Sequence, residues 1–133
     1  MPTKSVGTIV QRWGPAVVVM AIIFLASSTP SKEMPSFGAI DFFVKKGGHM
    51  LGYALMALAM IRGMGQDKRH LFWVVLGLVI AYAISDEFHQ RFVAGRSSTY
   101  VDVLIDTSGA LIGYGGWTVF SWLKKATRLW MPS

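Results

Sequence analysis

Three sets of polar residues interrupt otherwise apolar stretches of this chain. Lys46, His49 and Tyr53 stand at i, i+3 and i+7, on one face of a helix. In Ser85-Asp86-Glu87-Phe88-His89-Gln90-Arg91, the side chains of Asp86, His89 and Gln90 share a face, and Glu87 and Arg91 form a neighbouring i,i+4 pair. Asp102 and Asp106 lie one turn apart, with Gly109 and Gly113 continuing the same stripe. Histidines among carboxylates suit proton transfer, and arginine forks suit phosphate or carboxylate. Each set also has a plain structural account. Lys46 can snorkel to a membrane surface, Glu87 and Arg91 can mark a charged helix end among headgroups, and Asp102 and Asp106 can join an ion-pair network. A cluster of titratable groups directly after an apolar run nevertheless points to a site.

Three functions suit these residues. In the first, a non-catalytic protein binds the headgroup of a lipid or another amphiphile. Lys46, Arg91 and Arg96 hold its phosphate or carboxylate, and Tyr53, Gln90 and Asp106 complete the binding set. In the second, an interfacial enzyme uses His49 or His89 as general base, with Asp86 or Asp102 orienting it and Glu87 a further catalytic candidate. Arg96 then stabilises developing negative charge. His49, His89 and Asp86 could also hold a divalent metal that activates water, although an i,i+3 Asp/His spacing is no known zinc signature. Ser28 and Ser85 lack the G-x-S-x-G elbow of a serine nucleophile and read better as hydrogen-bonders at helix ends. The third is a proton-coupled transporter with an acid–histidine relay. It ranks last, because four short helices make a thin pore unless the protein oligomerises, and no paired repeat is visible.

The elements that must position these residues are helices. The chain has 133 residues, 53% of them hydrophobic and 15% charged, against about 25% charged in an ordinary soluble domain. That is too few ions to coat a soluble exterior. The length allows one domain, 1–133. Apolar stretches predict an all-α polytopic membrane protein with four transmembrane helices, over about 13–28, 45–64, 70–90 and 101–123. Only the fourth comfortably meets the roughly 20 residues that a span needs. Residues 29–43, with Pro30, Pro35 and Gly38, read as a loop, and 63–68 and 94–98 as tight turns. Cysteine is absent, which excludes disulfides and thiol catalysis. The formal charge of +6 occurs in short clusters between apolar runs rather than in a stripe, which argues against nucleic acid.

Lys and Arg set the expected orientation. Lys4, Arg12, Arg62, Lys68, Arg69, Lys124, Lys125 and Arg128 fall on one side; Lys32, Lys45, Lys46, Arg91 and Arg96 fall on the other. The richer side is cytoplasmic by the positive-inside rule, so both termini are expected inside. Glu33, Asp41, Asp86, Glu87, Asp102 and Asp106 then gather at the outer face. A competing reading takes the basic start, the apolar run and Ala26-Ser27-Ser28 as a signal peptide; Thr29-Pro30 directly after would hinder its cleavage.

The ordered run Ser85-Asp86-Glu87-Phe88-His89-Gln90, then Phe92, Gly95-Arg96, Asp102 and Gly109 to Gly113, resembles the VanZ-like family of membrane proteins. So do Ser27-Ser28-Thr29-Pro30 and Lys46-x-x-His49-x-x-x-Tyr53. The resemblance covers roughly residues 20–115. It implies a multi-pass protein of the bacterial cytoplasmic membrane, whose family includes a member that confers resistance to teicoplanin, a lipid-tailed glycopeptide. One departure stands out. The family usually shows D-x-x-x-N in the fourth helix, where this chain has Asp106 in second place.

Overall fold

The computed structural model describes residues 6–65 and 70–130. Lys4, Lys68, Arg69 and the far part of the expected turn at 63–68 lie outside them, and the side chain of Arg128 is not described. Among the described residues the chain is all-α, with four helices and no strand: α1 (Val6–Ser28), α2 (Asp41–Met64), α3 (Leu71–Gln90) and α4 (Tyr100–Trp130). Two 3₁₀ turns, Ser31–Glu33 and Gly38–Ile40, occupy the expected first loop.

Two of the helices, α1 over Gly7–Ser28 and α3, are long and apolar enough to cross a membrane. At 1.5 Å per residue they are about 30–35 Å long, the thickness of a bilayer's hydrocarbon core. A soluble protein's core helix would be mostly buried, yet only 11% of the apolar window of α1 is. The expectation that α4 makes the clearest span is therefore corrected. It is the longest helix, but between the charged pairs Asp102/Asp106 and Lys124/Lys125 its glycines, serines and threonines dilute the apolar run. The two aspartates are buried; the lysines are exposed in its last turns.

Helix ends follow local chemistry. Pro30 cannot continue α1, and Ser28 and Thr29 return their hydroxyl protons to the carbonyls of Phe24 (2.7 Å) and Leu25 (3.0 Å). Gly65, at φ +81°, closes α2 through an N–H bond to Ile61 O. This is a backbone conformation that glycine adopts without steric cost. Thr99 precedes α4 and accepts the Asp102 N–H at 3.0 Å. The Thr-x-x-Asp spacing there is that of a capping box.

Packing centres on α2, which makes its most extensive contact with α4 and its next with α1. The α2–α4 approach is backbone on backbone. A Cβ at Gly109 would collide with the Met50 carbonyl, and one at Gly113 would come within 2.5 Å of the Ala54 carbonyl oxygen. Small residues at four-residue spacing permit such close crossings. Tyr53, Met56, Ile61, Val75, Val79 and Ala83 fill the space between helices. Large apolar side chains also point outward from every helix, among them Leu25, Leu51, Leu55, Trp73, Ile112 and Phe120.

Candidate functional site

The direction of the four helices brings the end of α1, the start of α2, the end of α3 and the start of α4 to one end of the molecule. There a cavity of about 220 Å³ opens, and Lys46, His49, Glu87, Gln90, Asp102 and Asp106 line it together with Arg96 and the Asp41–Lys45 pair. Most of the residues singled out by sequence thus meet in one place, although they come from three helices and a loop.

Its ion pairs are specific. Lys46 on α2 pairs with Asp102 on α4, and Thr99 donates a second hydrogen bond to that carboxylate at 2.9 Å. Asp41 and Lys45 pair within α2 at 2.7 Å. His49 Nδ1 lies 3.4 Å from Asp106 Oδ1, and Asp106 is fully buried. The acid that departs from the family pattern therefore faces a histidine inside the cavity.

Behind the cavity lies a second polar group. Ser27, 0% exposed, donates to Asp86 Oδ2 at 2.7 Å. The Gln90 amide nitrogen lies 3.0 Å from Asp86 Oδ2 and 3.2 Å from Glu87 Oε1, with Ser27 Oγ at 3.4 Å. An amide nitrogen carries only two protons, so three acceptors share them. The donor stands between two acids that would otherwise repel.

Several expectations need correction. Glu87 makes no ion pair with Arg91 among the described residues: Glu87 turns inward and is buried, whereas Arg91 is exposed. The reason is that α3 is contacted by helices on more than one side, so adjacent residues can both be buried. His89 also leaves the cavity. It stacks on Phe24 with ring centroids 4.6 Å apart, and its Nε2 lies 3.0 Å from Ser28 Oγ. His49, His89 and Asp86 are consequently not assembled as a metal site. No group of three or more histidine or carboxylate side chains placed to hold a metal ion is found among the described residues. Tyr53 is wholly buried in the core rather than at the cavity wall.

Arg96 does something other than neutralise an acid. Its Nε donates to Thr29 O at 3.1 Å and its Nη2 to Ala26 O. Alongside, Ser31 N donates to Ala94 O and Ser31 Oγ to Gly95 O. The guanidinium thus binds carbonyls at and just beyond the end of α1, one of which, that of Ala26, also accepts from Thr29 N, where the helix dipole favours a cation. Gly95 sits at φ +73° with Ser31 Cβ close by, which places the turn firmly against the first loop. Two motifs far apart in sequence, Ser-Ser-Thr-Pro and Gly-Arg, form one clasp.

Sequence reasoning overlooked Ser31 and Thr99, and met Ser27 only within the Ser-Ser-Thr-Pro motif and Ser98 only within a turn, without a role for either. Ser98 donates to Glu87 O at 2.6 Å and so joins the turn to α3. A signal existed for Thr99 in the capping-box spacing to Asp102. Comparison with curated proteins and with solved structures gives no match. The model of the VanZ/LLP1 family, by contrast, matches residues 13–121, from the first half of α1 to the last apolar turns of α4, and the chain belongs to that family.

Proposed function

We propose that the chain crosses the bacterial cytoplasmic membrane four times, with both termini inside, and that its cavity binds an amphiphile's headgroup at the outer face. Family membership and the two apolar helices point to a membrane protein. Exposed apolar side chains on α2 and α4 favour crossings by those helices too, since Asp102 and Asp106 of α4 are buried while Leu51, Leu55, Ile112 and Phe120 turn out. The amphiphile is a membrane lipid, a lipid-linked wall precursor or a lipid-tailed glycopeptide such as teicoplanin; with the last, the protein serves antibiotic resistance at the cell envelope.

One observation carries this reading: a charged cavity opens between helices whose outward faces are apolar. Its volume of about 220 Å³ is below the roughly 300–1,000 Å³ of pockets that enclose a whole drug-sized ligand. It suits a headgroup whose tail stays in the bilayer. Native mass spectrometry of protein extracted in mild detergent tests this. The wild type is expected to retain an amphiphile, His49→Ala to lose most of it, and His89→Ala to keep it. A wild type that emerges bare from lipid-rich membranes would count against the reading.

A second reading has its own support. His49 beside Asp106 on the cavity wall is a base with an orienting carboxylate. If it is catalytic, reconstituted vesicles should accumulate a lipid product with wild type and not with His49→Ala. Intact lipid after prolonged incubation would leave binding as the function.

A further inference from the structure

The basic groups around the cavity already have partners: Lys45 has Asp41, Lys46 has Asp102, and Arg96 has the carbonyls of Ala26 and Thr29. Two buried acids of its wall are less well served. Among the described residues Glu87, 5% exposed, has no hydrogen-bond partner for Oε2, and Asp106, 0% exposed, has none for Oδ2, while its Oδ1 has only the long contact of 3.4 Å to His49 Nδ1. Both line the cavity. A carboxylate left buried without a donor is costly, and the cost falls when a charged donor enters.

A second opening lies beside the first. A groove of about 210 Å³ between α3 and α4 is walled by Ile84, Phe88, Tyr100 and Val103, with Arg91 also lining it. Glu87 lines both the groove and the cavity, so the two are neighbours across one side chain. The groove wall is apolar and exposed: Phe88 is 58% and Tyr100 80% accessible.

We propose that the cavity takes the primary ammonium group of an amphiphile, received by Glu87 and Asp106, while the start of its acyl chain lies in the α3–α4 groove. This deepens, and rests on, the headgroup reading above. An ammonium offers protons to Glu87 Oε2 and Asp106 Oδ2, the two oxygens with no donor beside them, and its charge offsets that of the acids. A hydroxyl headgroup would bring donors without that charge. Arg91, which does not line the cavity, lines the groove and there supplies a cation for the phosphodiester that joins ammonium to chain.

The test offers purified protein in detergent an equal mixture of three lipids with identical acyl chains: phosphatidylethanolamine, its trimethylated counterpart phosphatidylcholine, and phosphatidylglycerol. Retained lipid is read by native mass spectrometry. Phosphatidylethanolamine is expected to exceed each of the others by about tenfold, the effect of one charge-assisted contact. Glu87→Gln and Asp106→Asn, both isosteric, should remove most of that preference. Tyr100→Ala should lower retention of all three lipids without changing their ratio. On the wild type alone, soluble phosphoethanolamine should displace bound lipid and glycerol phosphate should not, so the inference stays testable if a variant fails to fold. Equal retention of the three lipids, preference for phosphatidylglycerol, or an ethanolamine preference unchanged in both acid variants overturns the ammonium assignment. Preferred phosphatidylglycerol would do so while leaving a headgroup site in place. Retention of none of the three overturns the ammonium assignment, and the headgroup reading falls with it only if the wild type also emerges bare from its own membranes.

Discussion

Gln90 holds its amide nitrogen between Asp86 and Glu87, two acids that share one buried end of α3. Replacing it by Leu removes both donors and leaves the carboxyls facing each other. Loss of a donor to buried acceptors costs about 1–3 kcal/mol, so Gln90→Leu should lower the thermal unfolding temperature of the detergent-solubilised protein. Gln90→Glu should lower it further, by adding a third acid. The two histidines should separate in the same assay. His89→Ala removes a stacked ring and a hydrogen bond to Ser28, and it is expected to reduce stability while sparing ligand retention. His49→Ala is expected to reduce retention first. How legible these roles are in sequence depends on geometry. The Lys46–Asp102 pair could be read from charge and topology, because each sits one turn from the same end of its helix. The inward turn of Glu87 could not. Helical periodicity assigns one buried face, and α3 has more than one because α1, α2 and α4 all contact it. The roles of Arg96 were hidden for another reason: its partners are main-chain carbonyls, which carry no sequence signature.

Among the helices, the approach of α4 to α2 decides whether the site exists. Lys46 and His49 on α2 reach Asp102 and Asp106 on α4 because Gly109 and Gly113 let the two backbones come together one and two turns below. Gly113→Val should therefore force the helices apart. Overpacking of this kind costs about 1–3 kcal/mol, and here the side chain meets rigid backbone rather than a movable terminus. The expected result is lower thermal stability with loss of ligand. Gly116 on the same helix has open space where a Cβ would lie. Gly116→Ala should leave stability unchanged or raise it by up to about 1 kcal/mol through helix propensity. Equal effects at the two positions would show that backbone contact is not what places the acids. The Gly-x-x-x-Gly stripe was legible in the sequence, and so were the helices themselves. Their limits were less so. Helix α1 begins at Val6 and α4 runs to Trp130, beyond the apolar runs, since polar residues near a helix end lower hydropathy without breaking backbone hydrogen bonds.

For the whole molecule, the proposed orientation has a direct consequence. The polar end that holds the cavity faces outward only if the loop between α1 and α2 is external and the end of α4 is internal. Lys32 in that loop and Lys124 near the end of α4 are both exposed, and the chain contains no cysteine. Each can therefore be converted into the sole thiol of the protein at a surface position. A membrane-impermeant maleimide applied to intact spheroplasts is expected to label Lys32→Cys and to spare Lys124→Cys until the membrane is opened. A control for the number of crossings comes from Arg62 at the end of α2, which is exposed as well. Arg62→Cys should behave like Lys124→Cys, because one crossing by α2 returns the chain to the cytoplasm. Labelling of Lys124→Cys and Arg62→Cys from outside, with Lys32→Cys spared, would invert the protein and turn the cavity toward the cytoplasm. Labelling of Lys32→Cys and Arg62→Cys together from outside would mean that α2 does not cross. The outcome bears on ligand class too: an outward cavity meets lipids and wall precursors of the outer leaflet and antibiotics arriving from the medium. An inward one meets only what the cytoplasmic leaflet supplies.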